Sequence, residues 1–200
     1  MLPIDLLQGF EKKLALIQNR PHCPVDVEVF NEAYKDIVSV FRPAENRIIF
    51  NEHFFNHGAE IEIMGDLFHE IRHAYQYHVV NHPEYADESD AVIKQWASDF
   101  KNYQAPITLD ILQPSFDPDD DLAEERRLIH EELLEIARLE KQYKKPFDYL
   151  TSSIEVDALA YADLNIFNIY KIHLDVPIEM KSLVKDRQEE IKHKRDIIRP

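Results

Sequence analysis

AEIEIMGDLFHEIRHAYQYHVVN, residues 59–81, places Ile61, Met64, Phe68, Ile71 and Tyr75 at alternating spacings of three and four. That period belongs to one face of an α-helix, so the stretch predicts a long helix with a buried stripe. Inside it, His69-Glu70-Ile71-Arg72-His73 matches the pattern H-E-x-x-H. At 3.6 residues per turn the two histidines stand about 40° apart on one face, where both imidazoles can reach one ion. Glu70 projects beside them without being a ligand. The chemistry that suits this arrangement is zinc hydrolysis, with Glu70 accepting a proton from a metal-acidified water and passing it to a leaving group. The bland alternative makes His69 and His73 ordinary helix residues and Glu70 a solvated one.

Working outward, Leu6, Phe10, Leu14 and Ile17 form the stripe of an amphipathic opening helix that ends before Pro21. Between Pro24 and Phe55, the runs VDVEVF, DIVSVF and RIIF are β-branched and aromatic, with Pro43-Ala44-Glu45-Asn46 as a turn between the last two. They predict a small antiparallel sheet. RIIFNEHFF, just before the histidine helix, would supply a sheet edge along a cleft, where a peptide can add as a strand. Gly65, one turn before His69, costs about 1 kcal/mol relative to Ala in a helix, which a close approach there would offset.

Beyond the histidine helix, residues 102–121 contain Pro106, Pro114 and Pro118 and read as a loop. LAEERRLIHEELLEIARLEKQY follows as a strong helix former, its start capped by Asp119, Asp120 and Asp121. Thr151 and Ser152 open a further helix, SSIEVDALAYADLNIFNIY, and the last twenty residues read as a charged amphipathic helix with Leu183, Ile191 and Ile198 as its apolar positions. The organisation is one domain over residues 1–200, with an acidic helical insertion at about 84–146. The fold class is α+β and predominantly helical.

Composition narrows the chemistry. The 200 residues are 44% hydrophobic and 30% charged, as expected of a globular domain rather than a disordered chain. Lys plus Arg number 23 against 38 Asp plus Glu, a net −15 that disfavours nucleic acid and anionic lipid as partners. The lone Cys23 excludes an intrachain disulfide and a thiolate zinc cage, so a metal must use His and carboxylate. No signal-peptide pattern opens the chain and no run approaches the roughly 18 apolar residues of a membrane span, which makes the cytoplasm the expected compartment.

A third ligand must come from elsewhere. The metzincin pattern would put Gly at 76 and His at 79, where the chain has Gln76 and Val79. His78 lies about 140° round the helix from His73 and points away. The better candidate is Glu155, which shares a face with Ala158, Ala162 and Asn165, the alanines allowing close packing on the histidine helix. A competing role exists, because Ser152-Ser153-Ile154-Glu155 also fits a capping box. Asp157 is the substitute ligand or an outer acceptor for an imidazole N–H.

RIIFNEHFF, LFHEIRHAYQYH and IEVDALAYA, in that order, resemble the minimal gluzincin-type metallopeptidases and the related ImmA/IrrE-like proteases over roughly residues 47–165. The resemblance implies a zincin-like core, Zn2+ held by His69, His73 and Glu155, Glu70 as catalytic base and acid, and a peptide or protein substrate. Such groups include inactive members, so a regulatory or binding protein on the same fold is the alternative. Sites of this kind add a Tyr or His that stabilises the oxyanion, and Tyr75, Tyr77, Tyr103 and Tyr161 have equal claims to that role. A third reading starts from a second E-x-x-H, Glu190 to His193. With Glu70, His73, Glu135 and Glu155 it could make a di-iron carboxylate bundle, although the predicted sheet argues against one. Asp117 to Asp121 lack the glycine and terminal glutamate of a calcium loop. The cluster Lys192, Lys194, Arg195 and Arg199 suits a solvated helix end.

Overall fold

A computed structural model describes residues 2–31, 34–111, 151–178 and 180–199, and for residues 102–111 the backbone alone. It is mostly helical with one small sheet, an α+β arrangement. The order is α1 (Ile4–Ile17), β1 (Val25–Glu28), β2 (Ser39–Arg42), β3 (Arg47–Asn51), α2 (Glu52–His57), α3 (Glu60–Asn81), a 3-10 turn at Pro83–Tyr85, and α4 (Asp90–Ile111). Beyond residue 150 come α5 (Ser153–Tyr170) and α6 (Lys181–Ile191).

The sheet is mixed, in the order β1-β3-β2, which corrects the antiparallel expectation. β2 and β3 form the expected hairpin, Val40 opposite Ile49, while β1 runs parallel to β3, Val25 opposite Ile48. The cause is burial. Ile48, Ile49 and Phe50 are fully buried, so β3 takes the central position that only a doubly covered strand fills. RIIFNEHFF is therefore no sheet edge; β2 is the edge strand that packs against α3.

α1 also turns differently from its predicted stripe. Leu7 and Leu14 face the core and Glu11 lies fully buried between them, while Leu6 and Ile17 are exposed. Glu11 is tolerated there because Arg20 donates to it at 2.8 Å and the Cys23 amide at 2.7 Å. A buried ion pair has displaced the apolar positions that periodicity alone selects.

α3 is the central helix, with Ile63, Met64, Leu67, Phe68 and Ile71 in the main core. Its start is fixed by the Glu62 carboxylate, which accepts from the Ala59 amide at 2.9 Å, and its end by Pro83 just beyond the cap. α5 starts at Ser152, whose hydroxyl accepts from the Glu155 amide, and ends at Lys171 in the left-handed region, φ 60°. α5 lies along α3, and Ala158 and Ala162, on the helix face that carries Glu155, are fully buried.

α4 continues to Ile111, so residues 102–111 are helical and not the expected loop; the helix carries Pro106 within it. It is anchored upstream, where Trp96 and Phe100 pack with Tyr75, Val79 and Ile154 as a second core cluster. The predicted acidic cap, the helix that follows it, Glu135, and the remainder of the insertion to residue 146 lie outside the described residues. The final helix is shorter than predicted and stops at Ile191. Its buried positions are Val184 and Ile191, with Ile197 in the turns beyond, whereas Leu183 is exposed. Among the described residues no helix is long and apolar enough to cross a membrane.

Candidate metal centre

α3 and α5 bring His69, His73 and Glu155 together, the one group of three or more potential ligands found among the described residues. His69 Nε2 lies 2.9 Å from His73 Nε2. Glu155 Oε2 is 3.3 Å from His69 Nε2, and Oε1 is 3.3 Å from His73 Nε2. The cluster sits just beneath the surface: the His69 side chain is 19% exposed and that of Glu155 only 5%. The capping alternative for Glu155 is half realised. Its backbone amide donates to Ser152 Oγ, but its carboxylate turns to the histidines instead of back to the cap.

Glu155 Oε1 is buried and accepts no hydrogen bond despite its nearness to His73. A buried carboxylate oxygen without a donor is costly unless something positive sits beside it. Tetrahedral zinc with bonds of roughly 2.0–2.1 Å sets its ligand atoms about 3.3 Å apart. The two carboxylate distances match that spacing, and the imidazole pair would open by roughly 0.4 Å to reach it. Two imidazole nitrogens and a carboxylate are a donor set that could hold zinc by three groups and leave a fourth position open.

Electrostatics follow from the convergence. Burial favours neutral His73, but the Glu155 carboxylate outweighs it and pushes the imidazole up to about 9. Burial likewise raises Glu155, yet the positive charge on His73, with the His69 imidazole also alongside, holds it well below the usual carboxylate range.

Glu70 points from α3 toward β2. Its Oε1 accepts from Ser39 Oγ at 2.9 Å and its Oε2 from the Phe41 amide at 2.7 Å. The Phe41 amide is free to donate because Phe41, opposite Ile48, falls at a register position whose backbone N–H points away from β3. Both oxygens of the predicted base are thus held, each retaining a further lone pair. Asp66, one turn before His69, is pushed up to about 7, chiefly by burial; His69 opposes the shift and Glu70 and Glu62 add to it.

Asp157 is not a ligand. It accepts from Arg72 at 2.7 and 3.1 Å, from Arg187 at 2.7 Å and from Gln76 at 2.7 Å. Its predicted role beside an imidazole falls to Gln76, whose Oε1 lies 2.9 Å from His73 Nδ1. Sequence reasoning passed over Gln76, yet its place three residues after His73, on the same helix face, was a usable signal. Arg72 is also fully buried, and besides Asp157 it pairs with Glu88 at 2.8 Å and Asp196 at 3.3 Å, with its guanidinium 4.6 Å from the Tyr75 ring centroid. Gly65 is close to Leu174: a Cβ there would meet Leu174 Cδ2 at 3.1 Å. His78 lies against the rings of His82 and Tyr85, away from the cluster as expected.

Two tyrosines of the four are engaged elsewhere. The Tyr161 hydroxyl donates to the Asp196 carbonyl at 3.0 Å, and that of Tyr75 accepts from the Asp87 amide. Tyr77 packs against Phe41 and Phe100. The second E-x-x-H is not assembled near the first: Glu190 is exposed and pairs with Arg187 at 2.5 Å, and His193 follows the end of α6. In the basic cluster, Lys192 pairs with Glu189 and Lys194 with Glu88. Comparison with family models, with curated proteins and with solved structures finds no match.

Proposed function

We propose that the chain is a zinc-dependent hydrolase acting on peptide bonds, with His69, His73 and Glu155 as the ligands and Glu70 as general base. The observation that carries this reading is the convergence of a buried carboxylate on two imidazole nitrogens, Glu155 Oε1 3.3 Å from His73 Nε2 and Oε2 3.3 Å from His69 Nε2. Zinc bound there supplies a Lewis acid and lowers the pKa of a water toward neutrality. The chain's own part is positional. α3 sets both imidazoles on one face, and α5 brings the carboxylate in from the side. Ser39 and the Phe41 amide fix Glu70 so that a remaining lone pair can take a proton and return it to the leaving amine. The zincin-like core and the gluzincin resemblance enter as part of this proposal, supported by the quoted residues and the donor set.

Elemental analysis of chelator-free protein should give about one zinc per chain. Glu155→Ala should weaken zinc retention, and unchanged affinity would remove Glu155 as a ligand. Glu70→Gln should keep zinc but lose cleavage of an unstructured peptide library read by mass spectrometry. A second reading, a zinc-holding protein without turnover, is favoured by the double hydrogen bond on Glu70. It predicts zinc retention and equally absent cleavage in wild type and Glu70→Gln. Two irons per chain would support the carboxylate bundle instead.

A further inference from the structure

We infer that Gln76 is a positioning residue for the metal centre: its amide oxygen accepts a hydrogen bond from the Nδ1–H of His73 and so keeps the Nε2 lone pair for the ion. The inference rests on the metal reading above. The orientation of the Gln76 amide follows from its surroundings. Its Nε2 donates to the Ile154 carbonyl at 2.9 Å and to Asp157 Oδ2 at 2.7 Å, both pure acceptors, so Oε1 must be the atom facing His73 at 2.9 Å. An amide oxygen only accepts. The nitrogen facing it in a neutral imidazole is therefore N–H, and the opposite nitrogen carries the free pair.

Gln76 itself cannot swing away. It is fully buried, and its two acceptors belong to α5, the helix that also carries Glu155. Asp157 in turn is fixed between Arg72 and Arg187, each 2.7 Å from one of its oxygens. One chain of contacts, Arg72 to Asp157 to Gln76 to His73, thus ties the ring orientation of a ligand on α3 to the helix that delivers the third ligand. An apolar residue at 76 could fill the same volume and join the same helices. It could not choose a tautomer.

The test reads the tautomer directly. Imidazole 15N–1H NMR of the wild-type chain, zinc-loaded and also metal-free at about pH 10 where the rings are neutral, should show His73 protonated at Nδ1 in both. Zinc affinity by chelator competition should fall about 10–100-fold in Gln76→Leu, the usual cost of losing an outer partner of a ligating histidine. A purely structural Gln76 would lower the melting temperature of the metal-free variant while leaving affinity within threefold, and that result overturns the inference. So does a His73 that is protonated at Nε2 or coordinates zinc through Nδ1. If Gln76→Leu does not fold, the wild-type spectra decide. If the wild type takes up no zinc, the metal reading fails by itself, and the metal-free tautomer still upholds or overturns the assignment to Gln76.

Discussion

Replacing Arg72 with Met keeps an unbranched apolar stem but deletes the charge at the centre of three helices. In the wild type the guanidinium is fully buried among Asp157, Glu88 and Asp196, and it stacks over Tyr75 with Tyr161 at 5.1 Å and Trp96 at 5.6 Å. The variant does not strand all three carboxylates equally. Arg187 still reaches Asp157 at 2.7 Å and Glu88 at 2.9 Å, and Lys194 still reaches Glu88 at 3.1 Å. Asp196 loses its guanidinium partner and is left with the neutral Gln18 amide, which donates to it at 2.8 Å. Breaking a buried pair so that a partner charge is left behind costs about 3–5 kcal/mol. At about 2–4 °C per kcal/mol for a chain of this size, the midpoint should fall by roughly 6–20 °C. Urea denaturation and thermal melts of the metal-free protein measure both quantities. Arg72→Met/Asp196→Asn should recover part of the loss, because the second change removes the stranded charge. A loss below about 1 kcal/mol in Arg72→Met would refute the reasoning, since it would mean that the network is not what holds these helices together.

Asp66 gives a pH-dependent prediction. Its native carboxyl titrates near 7 rather than at its ordinary 3.8, so between those values the folded state keeps a proton that the unfolded state has lost. Stability from this group therefore falls as pH rises through that window and is level above it. The advantage of Asp66→Asn over wild type, measured by denaturation of metal-free protein, should grow from pH 4 to pH 7 and then plateau; a pH-independent difference would contradict it. Gly65→Ala should change stability by less than about 1 kcal/mol, because the helix gain is opposed by a contact with the flexible tip of half-buried Leu174. Gly65→Val, with two more carbons in that space, should be clearly destabilising in the same melts.

Local periodicity made α3 legible, and the spacing of His69, Glu70 and His73 within it needed no further information. Glu155 was legible as a residue type on a face with small neighbours, because Ala158 and Ala162 mark where another helix comes close. The features that escaped share one cause: they depend on which distant group neutralises a charge. Glu11 reads as a polar position on α1, and nothing local reveals that Arg20 and the Cys23 amide bury it. Gln76 reads as a break in a rival motif until Ile154 and Asp157 come alongside. The parallel pairing of β1 was hidden for a related reason, since strand neighbours in sequence are the default partners and only the burial of β3 on all sides reorders them. Pro106 misled in the opposite direction, suggesting a break within the backbone of α4.

The partners of Arg72 lie 16, 85 and 124 residues further along the chain. During synthesis the helix bearing the histidines emerges with a cation that its own surroundings cannot accommodate in a dry interior. It acquires its full complement of counter-charges only after Asp196 has been added. A fragment ending after α4 would hold both imidazoles but neither the carboxylate of Glu155 nor most of the neutralising shell. The approach of Glu155 to the two imidazoles and the neutralisation of Arg72 therefore both wait for the part of the chain that follows α4.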